Sequence, residues 1–251
     1  MTAEVLAEHQ AIWQDKPVLR AIYTNYYRKI ISRCRAGKSL EVGGGSGNLK
    51  EFSADVISTD IAETPWLDAV ANAQTLPFSD SSFANIVMVD VLHHIEQPRL
   101  FLAEAERVLE PGGRLIMIEP AITMLSSLFF RLFHPEPVDM TADPLGKVTP
   151  DPNRQPFDSN QAIPTLLCGR YRERMSREFP GLKMVKVEWF DFLAYPLSGG
   201  FRQWSLLPAV AVQGVLALER LLLPLIGRWV AFRLLAVFEK TAPDDAKQVS
   251  D

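Results

Sequence analysis

Ten residues, Leu40 to Leu49 (LEVGGGSGNL), constrain the fold of this 251-residue chain more than any other stretch. A short apolar run there enters four glycines within five positions. Glycine loses more conformational freedom on ordering than any other residue, so such a cluster belongs where the backbone must turn tightly or be approached closely. A strand that ends in a glycine turn and opens a helix is the usual seat of a nucleotide-like ligand in an open α/β sheet. The free N–H groups of the helix start add donors to such a seat. Two ligand classes fit poorly. A dinucleotide fingerprint would need glycines at 43, 45 and 48, and position 48 is Asn48; a phosphate loop would need Gly-Lys-Ser/Thr after the glycines.

The flanking sequence supplies the elements such a turn requires. Residues 18–31 place Leu19, Ile22, Tyr23, Tyr26, Tyr27, Ile30 and Ile31 at helical intervals, one face of an amphipathic helix. SLEV reads as a buried strand, GNLKEF as a helix start and DVISTD as a second strand ending on Asp60. After a short connection holding Pro65 and Trp66, DAVANA reads as a third strand and FANIVMVDV as a strong fourth. PRLFLAEAERVL is a helix stopped by EPGG, and RLIMIEP is the fifth strand. Strands alternating with helical stretches imply parallel βαβ units and a doubly wound sheet.

The regularity changes after Pro120. ITMLSSLFFRLF is helical and very apolar, and the stretch to Pro164 holds seven prolines. Its Phe, Leu and Met content argues for an ordered insertion or lid, about 121–165, rather than disorder. LKMVKVEWFDF and AFRLLAVFEK read as two further strands with an apolar helical segment between them, and the tail from Ala242 is expected to fray.

Bulk properties exclude some classes. Apolar residues make up 47% and charged ones 22%, which is globular composition, and the net charge of −4 offers no positive field for nucleic acid. Cys34 and Cys168 have no metal-type spacing and suit a reducing, cytoplasmic compartment. The N-terminus carries Glu4, Glu8 and Asp15 and no apolar core of signal-peptide type. The most apolar stretch, Ser205 to Leu218, is closed by Glu219 and Arg220. It falls short of the roughly 20 residues that span a bilayer, so a soluble protein is expected.

The spacing of Glu41, Gly43, Gly45 and Gly47, acidic-x-Gly-x-Gly-x-Gly, resembles the first motif of the class I S-adenosylmethionine-dependent methyltransferases. The resemblance continues through Asp60, NAQTLPF, LHHI and LEPGG in the same order, covering about Leu40 to Pro120. It is closest to the small-molecule branch that includes quinone-biosynthesis methyltransferases. The resemblance implies a Rossmann-like seven-stranded doubly wound sheet. That sheet is mostly parallel with an antiparallel last strand and has helices on both faces, with the lid insertion after strand five. Residues 1–36 would pack over the cofactor site, and 37–251 would form the methyltransferase domain. It implies S-adenosyl-L-methionine as cofactor and S-adenosyl-L-homocysteine as product. Glu41, Gly43, Gly45, Gly47, Asp60, Ile61, Asn72, Ala73 and Asp90 would bind it, with Asp60 on the ribose hydroxyls and the glycines clearing space for the methionine part. Two departures stand out. Asn72 replaces the usual Asp near the adenine amino group, where its side-chain oxygen could still accept, and Ala84 replaces a usual Asp at a strand start.

Methyl transfer from a sulfonium is an in-line displacement that depends first on alignment. A general base is needed only where the acceptor must lose a proton. The expectation is no metal, because His9, His93, His94 and His134 form no ligand spacing. Catalytic candidates are His93, Asp90 and Glu119, at strand ends that should face the ligand crevice. His93 reads as a general base near Asp90. The alternative, which the resemblance favours, has one His bonding loop backbone and the other packing under the sheet, with His93 the freer. Glu119 could face the acceptor, cap the next helix or pair with Arg131. His134 sits on the lid, and Tyr23, Tyr26 and Tyr27 could shield the cofactor or simply pack their helix. Arg170, Arg172, Arg174 and Arg177 read as a solvated face, with an anionic ligand as the alternative.

Two apolar segments, Ile122 to Phe133 and Trp204 to Ile226, exceed what the core needs. They suggest a small apolar or lipid-linked acceptor and peripheral membrane contact, against a homodimer interface or packing on the sheet. A monomer and a homodimer both fit. The competing functions are a catalytically silent cofactor-binding scaffold and a nicotinamide-dependent oxidoreductase, the latter opposed by Asn48.

Overall fold

The apolar runs of the sequence meet edge to edge in one seven-stranded sheet of order β3-β2-β1-β4-β5-β7-β6. The strands are β1 Ser39–Val42, β2 Val56–Asp60, β3 Ala69–Val70, β4 Phe83–Val89, β5 Leu109–Pro120, β6 Leu182–Phe190 and β7 Arg233–Lys240. The computed structural model describes residues 2–241; the tail expected to fray, 242–251, lies outside the described residues. The pairs from β3 to β5 are parallel, and β7 runs antiparallel between β5 and β6. The sheet is the one the resemblance implied.

Alternation along the strands feeds two cores, because successive side chains leave opposite faces of a strand. On β5, Leu115 and Met117 join Leu40, Met88 and Phe101 on one face. Ile116 and Ile118 meet Trp13, Leu19 and Tyr26 on the other. Helices α1 (Thr2–Asp15) and α2 (Pro17–Ile31) cover that second face. Pro17 sits in the first turn of α2, where its missing N–H costs nothing. The inward face is the expected one with Val18 added, while Ile31 stays at the surface.

Helix α3 (Pro98–Val108) and the short α5 (Ile163–Cys168) and α6 (Arg172–Glu178) lie on the first face. Helix α4 (Met124–Phe133) starts at a capping box in which Thr123 and Ser126 bond each other's backbone N–H. No regular element lies between α4 and α5, so the proline-rich insertion is an ordered loop held by bonds such as Asp139 N–H to Asn160 Oδ1 at 2.9 Å. The short α7 (Ala194–Ser198) leads to α8 (Val212–Val230).

Three expectations are corrected. GNLKEF forms only a 3-10 turn, Asn48–Glu51, because the connection to β2 is too short for a full helix. The third strand shrinks to Ala69–Val70. Glu219 and Arg220 do not close the apolar stretch: with its lead-in turn, one helix runs from Ala209 to Val230, long and apolar enough by length and composition to cross a membrane. Glu219 turns inward, where its Oε1 accepts from the N–H groups of Phe192, Leu193 and Ala194, so its charge never interrupts the outer face.

Candidate active site at the ends of the central strands

Strand order reverses between β1 and β4, the switch point at which open α/β sheets hold ligands. A cavity of about 980 Å³ opens there. Gly43 and Gly45 adopt φ of 69° and 52°, in the left-handed region that glycine enters at least cost. A Cβ on Gly43 would stand 2.3 Å from a Val91 methyl, so that glycine serves packing beneath the turn. A Cβ on Gly45 would meet nothing closer than Leu6, at 3.8 Å; this is the open cradle.

Asp60, ending β2, fixes the cradle. Its Oδ2 accepts from Gly45 N–H at 3.0 Å, and its Oδ1 accepts from Ala62 N–H at 3.0 Å. Glu41 is buried under the turn and accepts from the Ser58 hydroxyl; burial raises its carboxyl to about 7. Glu41, Gly43, Gly45, Asp60, Ile61, Asn72, Ala73 and Asp90 all line the cavity. Gly47 does not: the place of its missing side chain faces Trp66.

Asn72 is more committed than its sequence suggested, because its Oδ1 accepts from Gln74 N–H at 2.9 Å. The amide nitrogen is therefore the group left for a ligand. An Asn72→Asp variant keeps that turn and adds an acceptor oxygen for an exocyclic amine. S-adenosylhomocysteine should then bind about fivefold tighter by calorimetry, the worth of one added hydrogen bond; equal or weaker binding contradicts this placement.

After β4, Asp90 takes φ of 59° and pairs with Arg233, whose side chain is buried. Tyr23 donates its hydroxyl to the other Asp90 oxygen at 3.2 Å, and the Arg233 guanidinium lies 3.9 Å from the Tyr195 ring centre. His93 is 3% exposed, and its Nδ1 lies 2.7 Å from Glu119 Oε2. Glu119 Oε1 accepts from Val91 and Leu92 N–H at 2.9 and 2.8 Å. The freer histidine is therefore His94, whose Nδ1 has no partner, and His93 is the clamped one, a reversal of the expectation. Glu119 neither caps α4 nor pairs with Arg131.

Burial pushes His93 down to about 3, helped by His94, and lifts Glu119 to about 7. An uncharged His93 ring is the consistent state. On its far side, Nε2 stands 3.6 Å from Glu136 Oε2, which also accepts from Ser159 and Gln161. Among the described residues, His93, His94 and Glu136 bring donor atoms within 4.8 Å of one another. A tetrahedral ion at about 2.05 Å from each ligand needs them roughly 3.3 Å apart, and Glu136 already has its partners.

The other wall is apolar. Phe129, Phe130 and Phe133 of α4 line it with Trp204 and Leu206, while Leu6, His9, Tyr23 and Tyr27 come from α1 and α2. Tyr26 turns away to Asp191. Lys16 clamps the nearby loop by donating to the carbonyls of Gly200, Arg202 and Trp204 at 2.8, 2.6 and 2.9 Å. His134 lines the cavity, and the arginines from 170 to 177 do not. Arg233, Tyr195, Glu136 and Gln161 escaped the sequence reading; a single Arg opening the apolar run of β7 was the one available signal.

Strand order, glycine cradle and the acid after β2 make a Rossmann-like fold of the class I methyltransferase type. Residues 40–117 match the methyltransferase domain family, which implies S-adenosylmethionine as cofactor. It is 34% identical over 112 residues to the ubiquinone/menaquinone biosynthesis C-methyltransferase UbiE of Hahella chejuensis, covering 35% of this chain and 45% of that protein. It is 31% identical over 119 residues to an uncharacterized protein of Methanocaldococcus jannaschii, covering 44% and 57%. The chain thus spans about half the length of the curated relatives it matches. A SAM-dependent methyltransferase structure from Thermotoga maritima superposes with a TM-score of 0.59 at 16% identity, covering 95% of this chain and 98% of that one, a likeness of fold.

Proposed function

We propose that the chain methylates a small apolar acceptor whose reacting group must lose a proton, of the aromatic hydroxyl or hydroquinone type. The observation that carries this reading is the clamped His93–Glu119 pair in the wall of a cavity that also holds the glycine cradle. The aromatic wall and the relatives named for ubiquinone and menaquinone biosynthesis support the acceptor class.

Bound S-adenosylmethionine supplies an electrophilic methyl carbon on a sulfonium and leaves as S-adenosylhomocysteine. Asp60 and the Gly45 cradle would hold it, with Ile61, Asn72 and Ala73 alongside. The acceptor lies between the phenylalanines of α4 and His93. Methyl transfer to the acceptor oxygen or its activated ring carbon would release the acceptor proton, and His93 Nε2 is placed to take it. With Glu119 ionised, its carboxylate takes the Nδ1–H and leaves the Nε2 lone pair free. Asp90, already paired with Arg233, carries charge and position rather than the proton. A histidine positioned by a buried carboxylate in the wall of an open cavity favours an enzyme over a silent scaffold.

The pH dependence follows from Glu119. Below about 7 its carboxyl is protonated and donates to Nδ1, which puts the hydrogen on Nε2 and closes the base. With tritiated S-adenosylmethionine and menadiol as acceptor, kcat should rise tenfold per pH unit below about 7 and level off above it. No transfer to hydroquinones, or a rate flat from pH 5.5 to 8.5, would sink the reading.

A further inference from the structure

We infer that α4 and α8 form a docking face for an anionic lipid bilayer, and that the cavity opens sideways into that face. Helix α8 buries Val212, Leu216, Glu219, Leu223 and Gly227, one face of a helix. The rest of its apolar surface has no cover: Leu221 and Leu225 are 72% and 76% exposed, and Leu218 and Trp229 are exposed beside them. Helix α4 packs against α8 and adds Met124, 78% exposed, with Leu128, Leu132 and Phe133. Scattered single apolar residues are ordinary on a surface, whereas a contiguous set on two adjoining helices marks an interaction site.

Charge selects the occupant. Residues 122–134 and 204–231 contain one acid, Glu219, and it is buried under three backbone N–H bonds. The exposed charges on the two helices are Arg131, Arg220 and Arg228, none in an ion pair among the described residues. An apolar face edged by cations alone, with Trp204 and Trp229 beside it, matches the acyl, headgroup and anionic layers of a membrane surface.

Helix α8 lies along this surface rather than crossing it. Spanning would strip its inner face from β6 and carry Arg220 and Arg228 into hydrocarbon. A side chain on Gly227 would stand 3.1 Å from the Trp189 carbonyl oxygen, so helix and strand are in close contact there. Continuity with the active site comes from Phe133, Trp204 and Leu206, which are exposed and line the cavity as well. An acceptor dissolved in the bilayer would enter past these three. That route rests on the acceptor reading above; the docking itself does not.

Flotation of the full chain with phosphatidylcholine vesicles, with and without phosphatidylglycerol, tests the face. The wild type should float with anionic vesicles and about fivefold less per neutralised arginine in Arg220→Gln and Arg228→Gln. Leu221→Glu with Leu225→Glu should cut binding at least tenfold, and Met124→Glu with Leu128→Glu should do the same from the other helix. S-adenosylhomocysteine affinity should be unchanged in all of them, which separates docking from folding. A wild type that stays at the bottom of the gradient overturns the proposal. So does a wild-type dimer that the Leu221→Glu, Leu225→Glu variant splits, which would make the face a contact between two copies. Flotation without methyl transfer to menadiol would remove the acceptor reading and leave the docking face standing.

Discussion

Glu119→Gln should lower kcat with the hydroquinone acceptor by about 10²- to 10⁴-fold, the usual worth of a positioned general base. The substitution preserves shape. The Gln carbonyl oxygen still accepts from Val91 and Leu92 N–H, as Glu119 Oε1 does. The amide nitrogen must then face His93 Nδ1 and donate to it, where the carboxylate had accepted. That forces the ring hydrogen onto Nε2 and removes the lone pair proposed to take the acceptor proton. S-adenosylhomocysteine affinity and thermal unfolding should stay near wild type, and the pH step near 7 should vanish. If Glu119 only held the turn after β4, Gln would serve equally well and kcat would not move.

The second large effect concerns stability. Asp90→Asn should cost about 3–5 kcal/mol in urea unfolding, because it leaves the Arg233 guanidinium buried without its counter-charge. Asn is chosen because it tolerates the left-handed backbone of this position, so the loss is one of charge. Adding Arg233→Met should recover a large part, since replacing both partners of a buried pair by uncharged groups is often near neutral. Additive losses in the double variant would show that the two residues act independently.

What the sequence disclosed follows from how local each signal is. The glycine turn, Asp60 and the strand alternation are encoded within a few residues of where they act, and the sheet assembled around them as expected. Pairings across the fold were not legible. Asp90 and Arg233 are 143 residues apart, and nothing near either names the other. His93 appeared the freer histidine because the resemblance assigned the structural role to His94, and nothing local shows that the turn Leu92–His94 orients His93 toward the end of β5. Gly47 shared a motif with Gly43 and Gly45, yet the place of its missing side chain faces Trp66, a residue the sequence assigned only to a short connection. Glu219 looked like the end of an apolar stretch because sequence shows a charge but not its direction. Turned inward onto three N–H groups, it leaves α8 continuous.

The proposed activity requires that the glycine cradle, held by Asp60, bind S-adenosylmethionine. Calorimetric titration of S-adenosylhomocysteine into the wild type and Asp60→Ala tests it most directly. The wild type should show saturable one-to-one binding, weakened about 30-fold or more in the variant. Such a loss corresponds to about 2 kcal/mol, typical of hydrogen bonds to a charged group. A folded wild type that binds nothing, or a variant that binds as tightly as the wild type, would contradict it.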